Sequence, residues 1–235
     1  MSILLVLLMF TIVMIVGYLL ERKQPYCMST AANQNSNKPF SRRVSGRLAV
    51  EIPEGYFLHP CHTWALDEGW QAIRVGVDDF AATLFGKVDH ITLTTPNRWV
   101  RQGQKLMTVT FDGITVDLPS PVEGTVISVN GPALERPDLV TTDPFCEGWL
   151  AVIKATNFDS DRKNLLQRAM AASWTRNSMV LLQQLCSQEA ALAQDGGRPI
   201  RGLLKHISPE LRERVVKEFF LTIPVEVLQD KTHHS

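Results

Sequence analysis

The side chains best suited to chemistry crowd into one tetrapeptide, His59-Pro60-Cys61-His62. Its two imidazoles and one thiol are a donor set that zinc or copper accepts. Pro60 stiffens and compresses the spacing, so the same residues also read as packing or surface groups. Four carboxylates, Asp78, Asp79, Asp112 and Asp117, raise the question of paired acid–base work. Each has a plainer local reading. Asp78 or Asp79 caps a helix, Asp112 makes a turn, and Asp117 points outward from a strand. No nucleophile–base pair or phosphate-binding loop accompanies them, so no catalytic, cofactor-binding or metal-binding residue is assigned. An enzyme or metal-binding protein built on His59, Cys61 and His62 stays open as a third reading.

The elements that would position these groups are short strands. From Leu48 to about Ala155, alternating runs are broken by turn residues. Strands are expected at Trp70–Val77, Val88–Leu93, Leu106–Phe111, Ile114–Leu118, Thr125–Val129 and Trp149–Ile153, with a short helix at Asp78–Leu84. Many short strands with Gly and Pro turns over about 100 residues indicate a mainly β domain, an antiparallel barrel or sandwich. The clearest local signal is Asp112-Gly113 between two β-rich runs. It predicts a two-residue type I′ hairpin, in which glycine takes a positive φ without Cβ strain.

The flanks differ from this centre. Residues 3–20 pass without a charge, and as a helix of about 27 Å they approach the thickness of a bilayer's hydrocarbon core. No Lys or Arg precedes this stretch and no small-x-small site follows it, which favours a retained anchor over a cleaved signal peptide. Arg22, Lys23, Lys38, Arg42, Arg43 and Arg47 come after it. The positive-inside rule then predicts a single-pass inner-membrane protein, amino terminus out and soluble domain cytoplasmic. Four widely spaced cysteines, Cys27, Cys61, Cys146 and Cys186, fit free thiols in a reducing compartment. Residues 21–47 read as a flexible basic and polar tether.

Residues 155–235 read as an α-helical extension. Ser160 is expected to cap a helix reaching about Gln194, with Leu165, Leu166, Ala169, Met170, Ser173 and Trp174 as its first apolar stripe. A polar patch at Thr175–Ser178 leaves room for a break. Ser208-Pro209 opens a second helix with an apolar face of Leu211, Val215, Val216, Phe219 and Phe220. Those faces either fold back on the β domain, pair between subunits as a homo-oligomer, or grip a protein partner. The charge balance, 24 Lys+Arg against 24 Asp+Glu, argues against nucleic acid.

The central segment, Tyr56 to Lys154, resembles the H protein of the glycine cleavage system. The resemblance rests on HTW at His62–Trp64, VGVDDFA with Gly76 and Asp78, LFGKV, VRQGQ, and SPVEGTVISVN with Pro121, Gly124 and Asn130. The longest match is LERPDLVTTDPFCEGWLAVIK, containing Asp143, Pro144, Gly148 and Trp149. It implies residues 48–154 as a lipoyl/biotinyl-type domain, a barrel-sandwich hybrid or hammerhead. It also implies a lipoyl carrier in which a hairpin-tip lysine, eight residues before the Pro of Ser-Pro-Val, is acylated and visits several enzymes. Eight residues before Pro121 stands Gly113, and no lysine occurs between Lys105 and Lys154. Glycine has no side chain to acylate. The expectation is therefore a membrane-anchored, non-lipoylated, H-protein-like scaffold or partner-binding protein, no enzyme and without cofactor. The alternative is an accessory or regulatory component of glycine cleavage or another lipoyl-dependent system.

Overall fold

The computed structural model describes residues 52–187 and 201–220, together with Met9, Thr11 and Met14. The chain divides into two units, 1–40 and 41–235. In the first unit the three described residues are helical and exposed. The rest of the 3–20 segment and the 21–47 tether lie outside the described residues. The inner-membrane placement is corrected: no helix among the described residues is long and apolar enough to cross a membrane.

Among the described residues of the second unit, ten strands form two antiparallel sheets. The larger is ordered β10-β1-β2-β3-β9-β8-β5 and the smaller β4-β6-β7. The strands are β1 Tyr56–Leu58, β2 Thr63–Asp67, β3 Ala72–Val77, β4 His90–Leu93, β5 Trp99–Val100, β6 Lys105–Phe111, β7 Ile114–Pro119, β8 Gly124–Val129, β9 Ala151–Ala155 and β10 Leu166–Gln167. The mainly β reading holds, but among the described residues both sheets are open and no barrel closes. The strand expected from Trp70 begins at Ala72, because Trp70 and Gln71 take positive φ (54° and 64°) in the β2–β3 turn.

Helix α1, Asp79–Phe85, starts where the carboxylate at Asp78 predicts. Its side chain accepts a hydrogen bond from the Ala81 N–H at 2.9 Å, satisfying one of the orphan donors of the first turn. Phe80, Ala81 and Leu84 are buried, as the periodicity requires. Two short helices, α2 Gly131–Glu135 and α3 Leu139–Thr142, follow β8.

The extension departs from expectation at its start. Asn157, not Ser160, caps a single turn α4, Phe158–Asp161. A 3₁₀ turn, Arg162–Asn164, follows, and Leu166 then pairs with Leu58 of β1. Helix α5 runs only from Arg168 to Cys186 and is continuous through Thr175–Ser178. Its buried stripe is Ala171, Thr175, Ser178, Leu182 and Cys186, whereas Met170 is exposed. The hydroxyls tolerate burial because each donates back along the helix, Thr175 to the Ala171 carbonyl and Ser178 to that of Trp174. Small polar residues thus form the inward face that a purely apolar pattern assigns elsewhere.

Helices α6, Leu203–His206, and α7, Pro209–Phe220, complete the described chain. All five residues of the predicted α7 face are buried, and the helix packs on β7. They join Leu182, Leu203 and Leu204 in the same hydrophobic core as the sheets. The apolar face of α7 offered above to a partner is therefore covered by the chain's own domain, whereas Ala169, Met170 and Ser173 of the first predicted stripe stay exposed. Docking is close: Gly202 donates its N–H to the Thr83 carbonyl at 2.8 Å, and a Cβ on Gly86 would lie 2.5 Å from the Gly202 Cα. Glycine at 86 and 202, both at positive φ, lets the two backbones touch.

Candidate functional site at the hairpin tip

The β6–β7 hairpin pairs in register from Phe111↔Ile114 back to Met107↔Leu118, with a bulge before Lys105↔Pro119. Asp112 and Gly113 form its tip with φ of 50° and 75°, the two positive angles that a type I′ turn demands. Three neighbours hold this tip. The Asp112 N–H donates to the Asp89 carboxylate at 2.7 Å. The Asp112 carboxylate accepts from the ammonium of Lys205, on α6, at 3.0 Å. Beneath them Phe111 packs on Phe85, which packs on Phe220 of α7, with ring centroids 5.0 and 5.1 Å apart.

Gly113 faces open space: a Cβ built there meets nothing within 4 Å. Glycine is favoured by the backbone angle, not by crowding. The nearest lysine in sequence, Lys105, is at the far end of β6 and pairs with Asp117 at 2.7 Å, where Thr108 also donates to that carboxylate. Asp117 is thus consumed by a strand-surface network. Lys205, absent from any sequence motif, brings an amine to the tip. Nothing in the chain order signals it, since 93 residues separate it from Asp112.

The His59–His62 tetrapeptide does not converge on a common point. His62 is fully buried, with Nδ1 at 2.8 Å from Asp78 and its ring stacked between Phe80 and Trp174. His59 accepts the Cys61 N–H on Nδ1 at 3.1 Å, and burial, then the neighbouring His62, lowers its pKa to about 4. Burial pushes the Cys61 thiol up to about 11, so it stays protonated and unreactive at neutral pH. No group of three His, Cys, Asp or Glu that could hold a metal ion occurs among the described residues.

The remaining motif residues sit in the framework. Trp64 donates its indole N–H to the carbonyls of Val77 and Pro144, and its ring covers Gly76. The Pro121 carbonyl accepts from Gln102. Gly124 lies against the Lys154 carbonyl, and Gly148 against that of Leu139. Asn130 caps α2 and donates to the carbonyls of Glu147 and Trp149 at 2.9 and 2.7 Å. Asp143 accepts from the Glu147 N–H, and Arg74 lies over the Trp149 ring. These contacts fix turns and strand ends. None lies at the tip.

Two antiparallel sheets, a tight Asp112-Gly113 hairpin and this framework make up the described β domain. The family model described as glycine cleavage H-protein matches residues 56–178, and the chain belongs to that family. Among similar curated proteins is the glycine cleavage system H protein of Thermus thermophilus, 33% identical over 105 residues, which cover 45% of this chain and 81% of the relative. The H protein of Anaeromyxobacter sp. is 34% identical over 125 residues, 53% of this chain and 94% of the relative. A solved H protein from Mycobacterium marinum aligns with a TM-score of 0.42 and 25% identity, covering 45% of this chain and 87% of that one. The family is one of lipoyl carriers rather than catalysts.

Proposed function

We propose that this chain is a non-lipoylated, partner-binding member of the H-protein family. The observation that carries the reading is the tip itself. Position 113 is glycine, the hairpin contains no lysine beyond Lys105, and the tip's carboxylate is engaged by the extension. An amide-linked arm needs an amine displayed on the turn, and the turn offers a carboxylate and a hydrogen atom instead. What the chain retains is the body, whose framework residues keep their packing. A body without an arm works by docking, as a scaffold or assembly module.

A second reading follows from the same retained body. It serves glycine cleavage or another lipoyl-dependent system as an accessory or regulatory subunit, occupying the site of a carrier without carrying. The test for both is direct. The full chain is co-expressed with a lipoate–protein ligase and excess lipoate, and its intact mass is measured. The expected product is unmodified, and a lipoyl group on any lysine overturns the reading. Binding of purified glycine cleavage enzymes, measured by calorimetry, separates the accessory role from the general scaffold. Failure to bind any of them removes the accessory role.

A further inference from the structure

Among the described residues, one half of the larger sheet's outer face is left exposed. Ala72 of β3 stands opposite Lys154 of β9, Lys154 opposite Thr125 of β8, and Thr125 opposite Trp99 of β5. Ile73, Ile153, Val126 and Val100, one step along each strand, are buried. By the two-residue alternation of strands, the four paired side chains share the outer side of the sheet. Trp99 is 48% exposed, and Ile127, the extra residue of the β8 bulge, is 46% exposed. Trp70, in the turn leading into Ala72, is 99% exposed. It holds φ 54°, a left-handed conformation costing a bulky residue about 1 kcal/mol. An indole that is both solvated and strained gains nothing from the fold that displays it.

Charge identifies the occupant. Lys154 stands in the middle of the rung, exposed, and makes no ion pair among the described residues. Arg74, next on the outer side, is already neutralised by Glu68. We infer that this half-sheet docks an acidic protein segment, one with carboxylates set among apolar side chains. Lys154 receives a carboxylate, while Trp70, Trp99 and Ile127 take the apolar groups. Tryptophans are among the residues in which interface hot spots are enriched. A nucleic-acid strand is the poorer fit, because a phosphate backbone calls for several cations and the chain is neutral overall.

The inference rests on the partner-binding reading and names its surface. It is tested on the full chain by NMR, following the indole N–H signals of Trp70 and Trp99, assigned with Trp70→Phe and Trp99→Phe. The probes are a synthetic peptide alternating Glu and Leu, its counterpart with Lys for Glu, and oligo(dT). The acidic peptide is expected to shift both signals. Trp70→Ala and Trp99→Ala should each weaken it about tenfold or more, and Lys154→Glu should transfer binding to the Lys peptide. Unmoved indole signals, equal binding of the two peptides by the wild type, or oligo(dT) binding at these tryptophans overturns the inference. Unchanged thermal unfolding of the variants shows that they are folded. Failure here leaves the non-lipoylated reading standing, since only added lipoyl mass removes that.

Discussion

Two hairpins of this domain both use positive-φ turn residues and differ in what they display. The β2–β3 turn places Trp70 and Gln71 at positive φ, and the β6–β7 turn places Asp112 and Gly113 there. In the first, a conformation that favours glycine or asparagine carries a fully solvated indole. In the second, a conformation equally able to present a long side chain carries none, although the space above Gly113 is open. Turn geometry decides where a tip points, and the side chain decides what it does. On the reading we propose, this chain keeps the family's framework without the group that the framework would present.

Phe220 is buried and stacks on Phe85, which stacks on Phe111 just before the Asp112 tip. Phe220→Ala should cost about 3–5 kcal/mol in denaturant unfolding, the usual range for a buried phenylalanine. A loss below about 1 kcal/mol would mean that the extension does not support the hairpin. Acid should act next. His59 is held neutral when folded, near 4 against an ordinary 6.5, so the unfolded chain binds the extra proton. Stability is then full above about pH 6.5 and falls by up to about 3 kcal/mol as pH drops toward 4. His59→Asn should flatten that window in unfolding curves taken from pH 7 to 4. An unchanged slope would assign the acid sensitivity to other groups.

Smaller effects separate the tips themselves. Asp78→Ala removes the α1 cap and the partner of His62, and should cost more than the roughly 1 kcal/mol of a cap alone. Asp78→Asn, which keeps the shape, should recover part of it. Lys205→Ala breaks an ion pair with both side chains about half exposed, so thermal unfolding should fall by at most about 1 kcal/mol, and less in high salt. Its sharper readout is hydrogen exchange at Asp112 and Gly113, which should quicken if Lys205 steadies the tip.

Much of this was legible in residues. The Asp112-Gly113 turn, the Asp78 cap, the α7 stripe and the order of the family motifs all rest on local chemistry, and local chemistry is what a sequence displays. Four features were not. The inward stripe of α5 includes Thr175 and Ser178, whose hydroxyls satisfy themselves within the helix and so leave no apolar signal. The β1–β10 pairing of Leu58 with Leu166 depends on a tertiary contact that gives two residues no periodicity. The placement of Lys205 at the tip depends on Gly86 and Gly202 meeting across the fold. The sheet face around Lys154 is likewise visible only once Ala72, Thr125 and Trp99 are set in register.

Position 113 decides whether this hairpin can bear a lipoyl arm. Wild type and Gly113→Lys are co-expressed with lipoate–protein ligase and compared by intact mass and peptide mapping. The open space above the tip permits the lysine, at a cost of about 1 kcal/mol for a side chain at positive φ. The prediction is a lipoyl group on residue 113 of the variant and none anywhere on the wild type. A lipoyl group on the wild-type chain, at Lys205 or any other lysine, would contradict it.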